Sequence, residues 1–142
     1  MLNLVILTRR NKNIYLVHVP KDLPYVLEIR LVGSDQKHQG TIEILYDGQW
    51  GTVCDTHFDL IAADVACQSL GYQSAVEAKH DAFFGRGTTE KKWLQSIHCK
   101  GTEKSLGACS HHGWEQDNKC HLGVPDDVAG VVCTRHTGSK II

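Results

Sequence analysis

The sequence predicts a small α+β domain held by disulfides, with several short strands, one main helix, one short helix and long loops. Three observations lead there. The chain has 142 residues and a mass of 15.8 kDa, the size of one ordinary domain with a short appendage. It holds 13 glycines but only 7% aromatic residues, a balance that favours turns and irregular backbone. Its six cysteines are even in number, none precedes Cys54, and none forms a CxxC pair. Scattered cysteines without metal-ligand spacing read as three disulfides formed in an oxidising compartment. The alternative is a set of buried thiols in a cytosolic protein, and spacing alone selects no connectivity.

The elements follow in order. Leu2 to Leu7 form a short apolar run followed by Arg9, Arg10 and Lys12. A secretory signal places its charge before the apolar stretch, and a bilayer span needs roughly 20 apolar residues, so no targeting or spanning segment is visible here. That conflicts with the secretory reading of the cysteines unless the chain is a fragment or its start is misassigned. Ile14 to Val19 has strand character, closed off by Pro20 and Pro24, and residues 1–24 are expected to be a poorly specified extension. From Tyr25 the pattern sharpens. Leu27, Ile29 and Leu31 alternate with Glu28 and Arg30, a half-buried strand ending at Gly33. Thr41 to Tyr46 and Trp50 to Cys54 are strands joined by Asp47-Gly48, a pair suited to a tight hairpin turn. Asp59 is placed to cap a helix whose inner face carries Ile61, Val65, Cys67 and Leu70, and Gly71 to end it. Residues 73–92 show no period and read as a long loop. Trp93 to Cys99 reads as a strand, Thr102 as the cap of a short helix reaching Cys109, and Val128 to Cys133 as a final strand. Residues 110–127 are polar and loop-like, and 135–142 form a tail or linker.

Charge and motif content exclude several functions. With 15 Lys+Arg against 16 Asp+Glu, the net charge of -1 argues against binding nucleic acid by bulk electrostatics. No Gly-x-Ser-x-Gly, HExxH or phosphate-loop motif occurs, and no Asn-x-Ser/Thr acceptor. The nine histidines, notably His111-His112, invite catalysis or zinc, but a Cys–His nucleophile needs a free thiolate, and zinc ligands lack their usual spacing. An enzyme is not expected.

The ordered segments resemble a known family. Gly48-Gln49-Trp50-Gly51-Thr52-Val53-Cys54-Asp55 is similar to the WGTVCD signature of the scavenger receptor cysteine-rich (SRCR) domain. Ile29 to Gly33 resembles its opening strand, and Ala63 to Tyr72 its helix with a terminal Leu-Gly pair. Phe84-Gly85, Trp93-Leu94, Cys99 to Glu103, Ser105-Leu106, Gly113-Trp114 and Ala129 to Cys133 continue the match, over residues 25–134. The resemblance implies the six-cysteine, group A type of this domain: short curved antiparallel sheets, one main helix and one short helix. It also implies the pairs Cys54–Cys120, Cys67–Cys133 and Cys99–Cys109. Tyr72 stands where eight-cysteine relatives have a further cysteine. The sequence departs from the family pattern at Thr56, Val128, Gln95 and Lys91-Lys92, and in a longer loop from Cys120 to Cys133.

The resemblance further implies an extracellular module, secreted or in the ectodomain of a membrane protein, that binds protein or polyanionic ligands as scavenger receptors of innate immunity do. Family members hold a divalent cation between acids that here align with Asp55 and Asp127, with Asp126 and the Thr56 hydroxyl as further donors. Calcium wants six to eight oxygens, and a missing carboxylate predicts weak or absent binding. Gln95 disfavours a second cation site. A basic stretch with Lys79, Arg86, Lys91, Lys92, Lys100 and Lys104 is the candidate polyanion face, with Arg86, Lys91 and Lys92 its leading residues and Glu77, Asp81, Glu90 and Glu103 as compensation. Nothing here inserts in a membrane, and other domains of a larger parent are expected. An alternative role is that of a non-catalytic accessory domain in a mosaic enzyme, lysyl-oxidase-like or a multidomain serine protease; Tyr46-Asp47-Gly48-Gln49-Trp50-Gly51 resembles the former.

Overall fold

The computed structural model describes residues 2–10, 13–20, 27–114, 120 and 125–135. The start of the expected domain at Tyr25, most of the lengthened loop after Cys120, and the tail beyond Arg135 lie outside them.

The N-terminal segment holds more order than its sequence suggested. Strands β1 (Leu2–Arg10) and β2 (Asn13–Pro20) pair antiparallel, from Leu2↔Pro20 to Arg10↔Asn13, as a sheet of their own. The apolar run that is too short to cross a bilayer has the length of a strand, and backbone pairing needs only a partner of equal length.

The main sheet has six strands, β3 (Ile29–Val32), β4 (Gln39–Tyr46), β5 (Gln49–Val53), β6 (Ala75–Lys79), β7 (Lys92–Leu94) and β8 (Gly130–Cys133). β4 is its hub. β3 runs antiparallel along one edge of β4; the other edge is shared by β8 at Gln39–Thr41 and β5 at Glu43–Tyr46. That sharing splays the sheet and curls it. β7 extends β5 in parallel, and β6 closes the far side on β8. The β4–β5 turn has the chemistry its sequence predicts: Asp47 and Gly48 take φ of 51° and 77° between the paired Tyr46 and Gln49. Two positive φ values match the right-handed twist of the strands.

The two faces of β4 are covered differently. Ile42 and Ile44 enter the apolar core with Val53, Phe58, Leu94, Ile97 and Val131. Thr41 and Glu43 face the other way yet are also buried, because the loop after β6 folds over them. Thr41 Oγ1 donates to the Gly85 carbonyl at 2.7 Å, and Glu43 accepts from the Thr88 N–H at 2.6 Å. Polar strand residues thus pin a loop that lacks apolar periodicity.

Helix α1 (Leu60–Ser69) begins where expected: the Asp59 carboxylate accepts from the Ala62 N–H at 2.9 Å. It ends with Gly71 N–H on the Gln68 carbonyl and Tyr72 N–H on the Cys67 carbonyl, with Gly71 left-handed at φ 96°. These two bonds satisfy carbonyls the helix leaves unpaired. The buried face matches the expected one at Val65 and Cys67 and departs from it elsewhere. It consists of Ala62, Ala63, Val65, Ala66 and Cys67, whereas Ile61 stays 45% exposed. Small residues let the helix lie close against β6 and β8, a contact that a branched side chain at the first turn does not reach. The short helix is a single 3-10 turn, Leu106–Ala108. Beside it, Tyr46 stacks on Trp114 with ring centroids 3.8 Å apart, and Trp93 meets Tyr46 edge-on at 5.0 Å.

All six cysteines are bonded, as Cys54–Cys120, Cys67–Cys133 and Cys99–Cys109. The first two each span 66 residues of sequence and tie β5 and α1 to the C-terminal segment; the third closes a separation of 10 around the 3-10 turn.

Candidate functional site

Beyond β5 the chain turns sharply. Phe58 N–H bonds back to the Asp55 carbonyl at 3.0 Å, and Asp55 N–H reaches the Asp127 carbonyl at 3.3 Å. Asp55 and Asp127 are therefore held side by side by the backbone, next to the Cys54–Cys120 bond. A third acid joins them. The Asp81 N–H donates to Asp55 Oδ2 at 2.7 Å, and carboxylate oxygens of Asp55, Asp81 and Asp127 all lie within 4.8 Å of one another. Asp55 and Asp127 are buried, at 8% and 3% exposure, and Asp81 is exposed at the rim. Three hard oxygen donors, two of them shielded from water, fit a cation such as calcium.

Asp126 does not take the place expected for it. Its carboxylate turns outward onto Arg86 Nε at 2.6 Å, so it lies outside the cluster, and Asp81 supplies the third carboxylate. In the sequence Asp81 reads only as charge compensation, since it sits in a stretch without period or motif.

The expected basic face is also redistributed. Arg86 is exposed but neutralised in part by Asp126; such surface pairs contribute little to stability. Lys91 lies with its amine 4.4 Å from the centre of the Trp93 ring. Lys92 is only 8% exposed, which removes it from the ligand-facing surface proposed for it. Its Nζ points to the Pro125 carbonyl at 3.4 Å. Burial holds its pKa below the ordinary lysine value, against the opposing pull of Asp127, with Arg86 adding to the depression and Asp126 and Asp55 resisting it. An internal ammonium thus sits beside the acid cluster. Lys100 and Lys104 are exposed on a separate segment, and Lys79 is engaged with Glu77 at 3.0 Å and with the Phe83 ring at 4.0 Å. Of Arg86, Lys91 and Lys92, the last is therefore not part of an exposed patch.

Two further expectations meet the geometry. Zinc held by His111, His112 and cysteines lacks its thiolates, because every cysteine sulfur is in a disulfide. The His111 ring is engaged locally, its Nδ1 accepting from the Gly113 N–H at 2.9 Å. Gln95, in place of an acid, buries its Oε1 without a hydrogen-bond partner among the described residues.

The family model for the scavenger receptor cysteine-rich domain matches residues 32–134. The chain belongs to the scavenger receptor cysteine-rich family. Solved SRCR domains share its fold. The third SRCR domain of murine neurotrypsin superposes with a TM-score of 0.63 at 36% identity, covering 75% of this chain and 95% of that one. The SRCR domain of mouse MARCO, in a dimeric form, gives 0.58 at 35% identity, covering 68% and 86%. Among curated proteins, lysyl oxidase homolog 3B of Danio rerio is 42% identical over 113 residues, which is 79% of this chain and 13% of that protein. Lysyl oxidase homolog 4 of Bos taurus is 44% identical over 116 residues, 80% of this chain and 15% of that protein. The chain thus spans a small part of these relatives, the part that is an SRCR domain. Among the described residues no helix is long and apolar enough to cross a membrane.

Proposed function

We propose that this SRCR domain is a non-catalytic extracellular binding module that holds a protein or polyanionic ligand through its loops, with calcium at Asp55, Asp81 and Asp127 as a bridging ion. The observation that carries the reading is the convergence of these three carboxylates from separate segments, two of them buried. Calcium bound there would supply a positive centre for an anionic group of the ligand. The ammonium of Lys92 lies in the same neighbourhood and supplies part of the charge compensation, so calcium binding is expected to be weak. The extracellular setting is supported by the three disulfides, which persist in oxidising compartments.

Calcium calorimetry on the oxidised chain tests the ion. Asp55→Asn and Asp127→Asn are expected to abolish binding, and Lys92→Met to strengthen it; absence of binding in both the parent chain and Lys92→Met rejects the calcium site. Heparin binding with and without chelator, compared with Arg86→Ala and Lys91→Ala, tests the ligand face. Binding that is indifferent to chelator and to both substitutions rejects the surfaces named here.

A second reading is that the domain serves as an accessory module of a larger enzyme and positions its substrate. It is favoured by the lysyl oxidase homologs among its relatives. Sequencing the transcript beyond this chain distinguishes the two: a copper-ligand histidine cluster or a protease triad downstream supports the accessory role, and a transmembrane anchor or further binding modules alone reject it.

A further inference from the structure

Outside the acid cluster, the sheet brings two histidines together. β5 and β7 run parallel, with Thr52 beside Lys92 and Val53 beside Leu94. His57 and His98 lie the same number of residues beyond Val53 and Leu94, so both chains deliver a histidine to the same end of the sheet. The rings meet with centroids 5.0 Å apart and planes inclined at 40°. Both residues are exposed. Among the described residues this is the one contact between two histidine rings.

Their backbones are fixed. His57 takes a left-handed conformation, φ 65°, inside the turn closed by Phe58 N–H on Asp55 O. His98 exchanges both backbone hydrogen bonds with Ser110, at 2.8 and 3.0 Å. Disulfides follow closely on each side, Cys54–Cys120 ahead of His57 and Cys99–Cys109 directly after His98. Only the side-chain torsions of the two imidazoles then remain to be ordered when they share a ligand.

We propose that His57 and His98 form a two-histidine clamp for a borderline divalent transition ion, copper or zinc, separate from the carboxylate cluster. The separation of the rings fits. An ion bonded at about 2.1 Å to one nitrogen of each ring, at an angle between square-planar and tetrahedral, places the ring centroids about 5 Å apart. Imidazole nitrogen suits copper and zinc, whereas the all-oxygen acid cluster suits calcium, so the two sites select different ions. Two protein ligands leave coordination positions open to water or to a carboxylate or imidazole of a bound partner. The inference does not depend on the calcium reading, because none of the three acids is a ligand of this ion.

The test is titration of the untagged, oxidised full chain with copper(II), followed by calorimetry and by electron paramagnetic resonance, with zinc(II) as a second probe. One equivalent is expected to bind with a nitrogen hyperfine signature, more tightly for copper than for zinc. His57→Ala and His98→Ala are each expected to weaken binding by about tenfold or more, while His112→Ala and an excess of calcium leave it unchanged. Both histidines are exposed, so the variants are expected to fold; unchanged thermal unfolding checks this. Failure of the parent chain to bind, equal affinity in His57→Ala, or displacement of the bound copper by calcium overturns the clamp.

Discussion

Glu43 has no exposed surface, yet it brings a carboxyl group into the middle of the hub strand. It accepts from Arg30 Nε at 2.8 Å and from the Thr88 backbone and hydroxyl, and Arg30 in turn lies 3.8 Å over the Trp50 ring. A buried carboxylate is tolerated only when its donors are complete. Glu43→Ala leaves the Thr88 N–H without its acceptor and frees that loop, while the half-exposed Arg30 keeps Thr88 Oγ1 and the Trp50 ring; a loss of about 1–3 kcal/mol in chemical denaturation is expected, and a loss no larger than that of an ordinary surface substitution contradicts this account. At this scale the sequence was partly readable. Asp55 is visible because it follows Cys54 in its motif, and Asp127 because it falls just before the Ala129 to Cys133 segment. Lys92 was misread because β7 is three residues long and buried throughout, so no alternation marks its inward side chain. Asp81 was hidden because its partner Asp55 is met only through the folding of a loop.

At the scale of elements, the strand least visible beforehand was β6. Its pairing with β8 shifts register between Ala75 and Glu77, and Val76 and Glu77 are both exposed. An irregularity of that kind erases the two-residue period on which strand recognition rests. The hairpin and the helix ends, by contrast, were set by local chemistry at Asp47-Gly48, Asp59 and Gly71. The β5–β7 contact is set by a close approach: a Cβ on Gly51 would come within 2.4 Å of Trp93 Cδ1, while the Trp93 indole donates to the Gln49 carbonyl at 2.8 Å. Gly51→Ala must push the indole off that bond and is expected to cost about 1–3 kcal/mol, with altered tryptophan fluorescence in the folded state. A variant of unchanged stability and emission would show that the ring has room to move. In the turn after Cys99, Glu103 accepts from the Lys100 and Gly101 N–H groups at 2.8 and 2.9 Å. The Lys100 N–H is the main reason its pKa falls below the ordinary carboxylate value. A carboxylate depressed by folding stabilises above its unfolded pKa, and that contribution is lost as pH falls through the folded value. Unfolding midpoints of the parent chain and Glu103→Gln are therefore expected to differ at neutral pH and to converge in acid; a constant difference across the range contradicts the assignment.

For the whole molecule, the covalent frame governs stability. Six cysteines in a chain of this size pointed to three bonds, and the resemblance supplied the pairing; composition alone offered no way to choose. Mass spectrometry without reductant is expected to show the loss of six hydrogens, and retention of them would undo the frame. Replacing Cys67 and Cys133 together by alanine removes the bond between α1 and β8 and is expected to cost about 2–5 kcal/mol, read as a lower thermal midpoint. A midpoint unchanged from the parent would assign the hold of α1 to packing alone.

The two long bonds interleave along the chain, Cys54 and Cys67 on one side and Cys120 and Cys133 on the other. A protease that cuts anywhere between Cys67 and Cys99 therefore releases no fragment. The exposed stretch around Phe83 and Arg86 can be nicked, and the two pieces still travel together, doubly stitched, until a reductant reaches them.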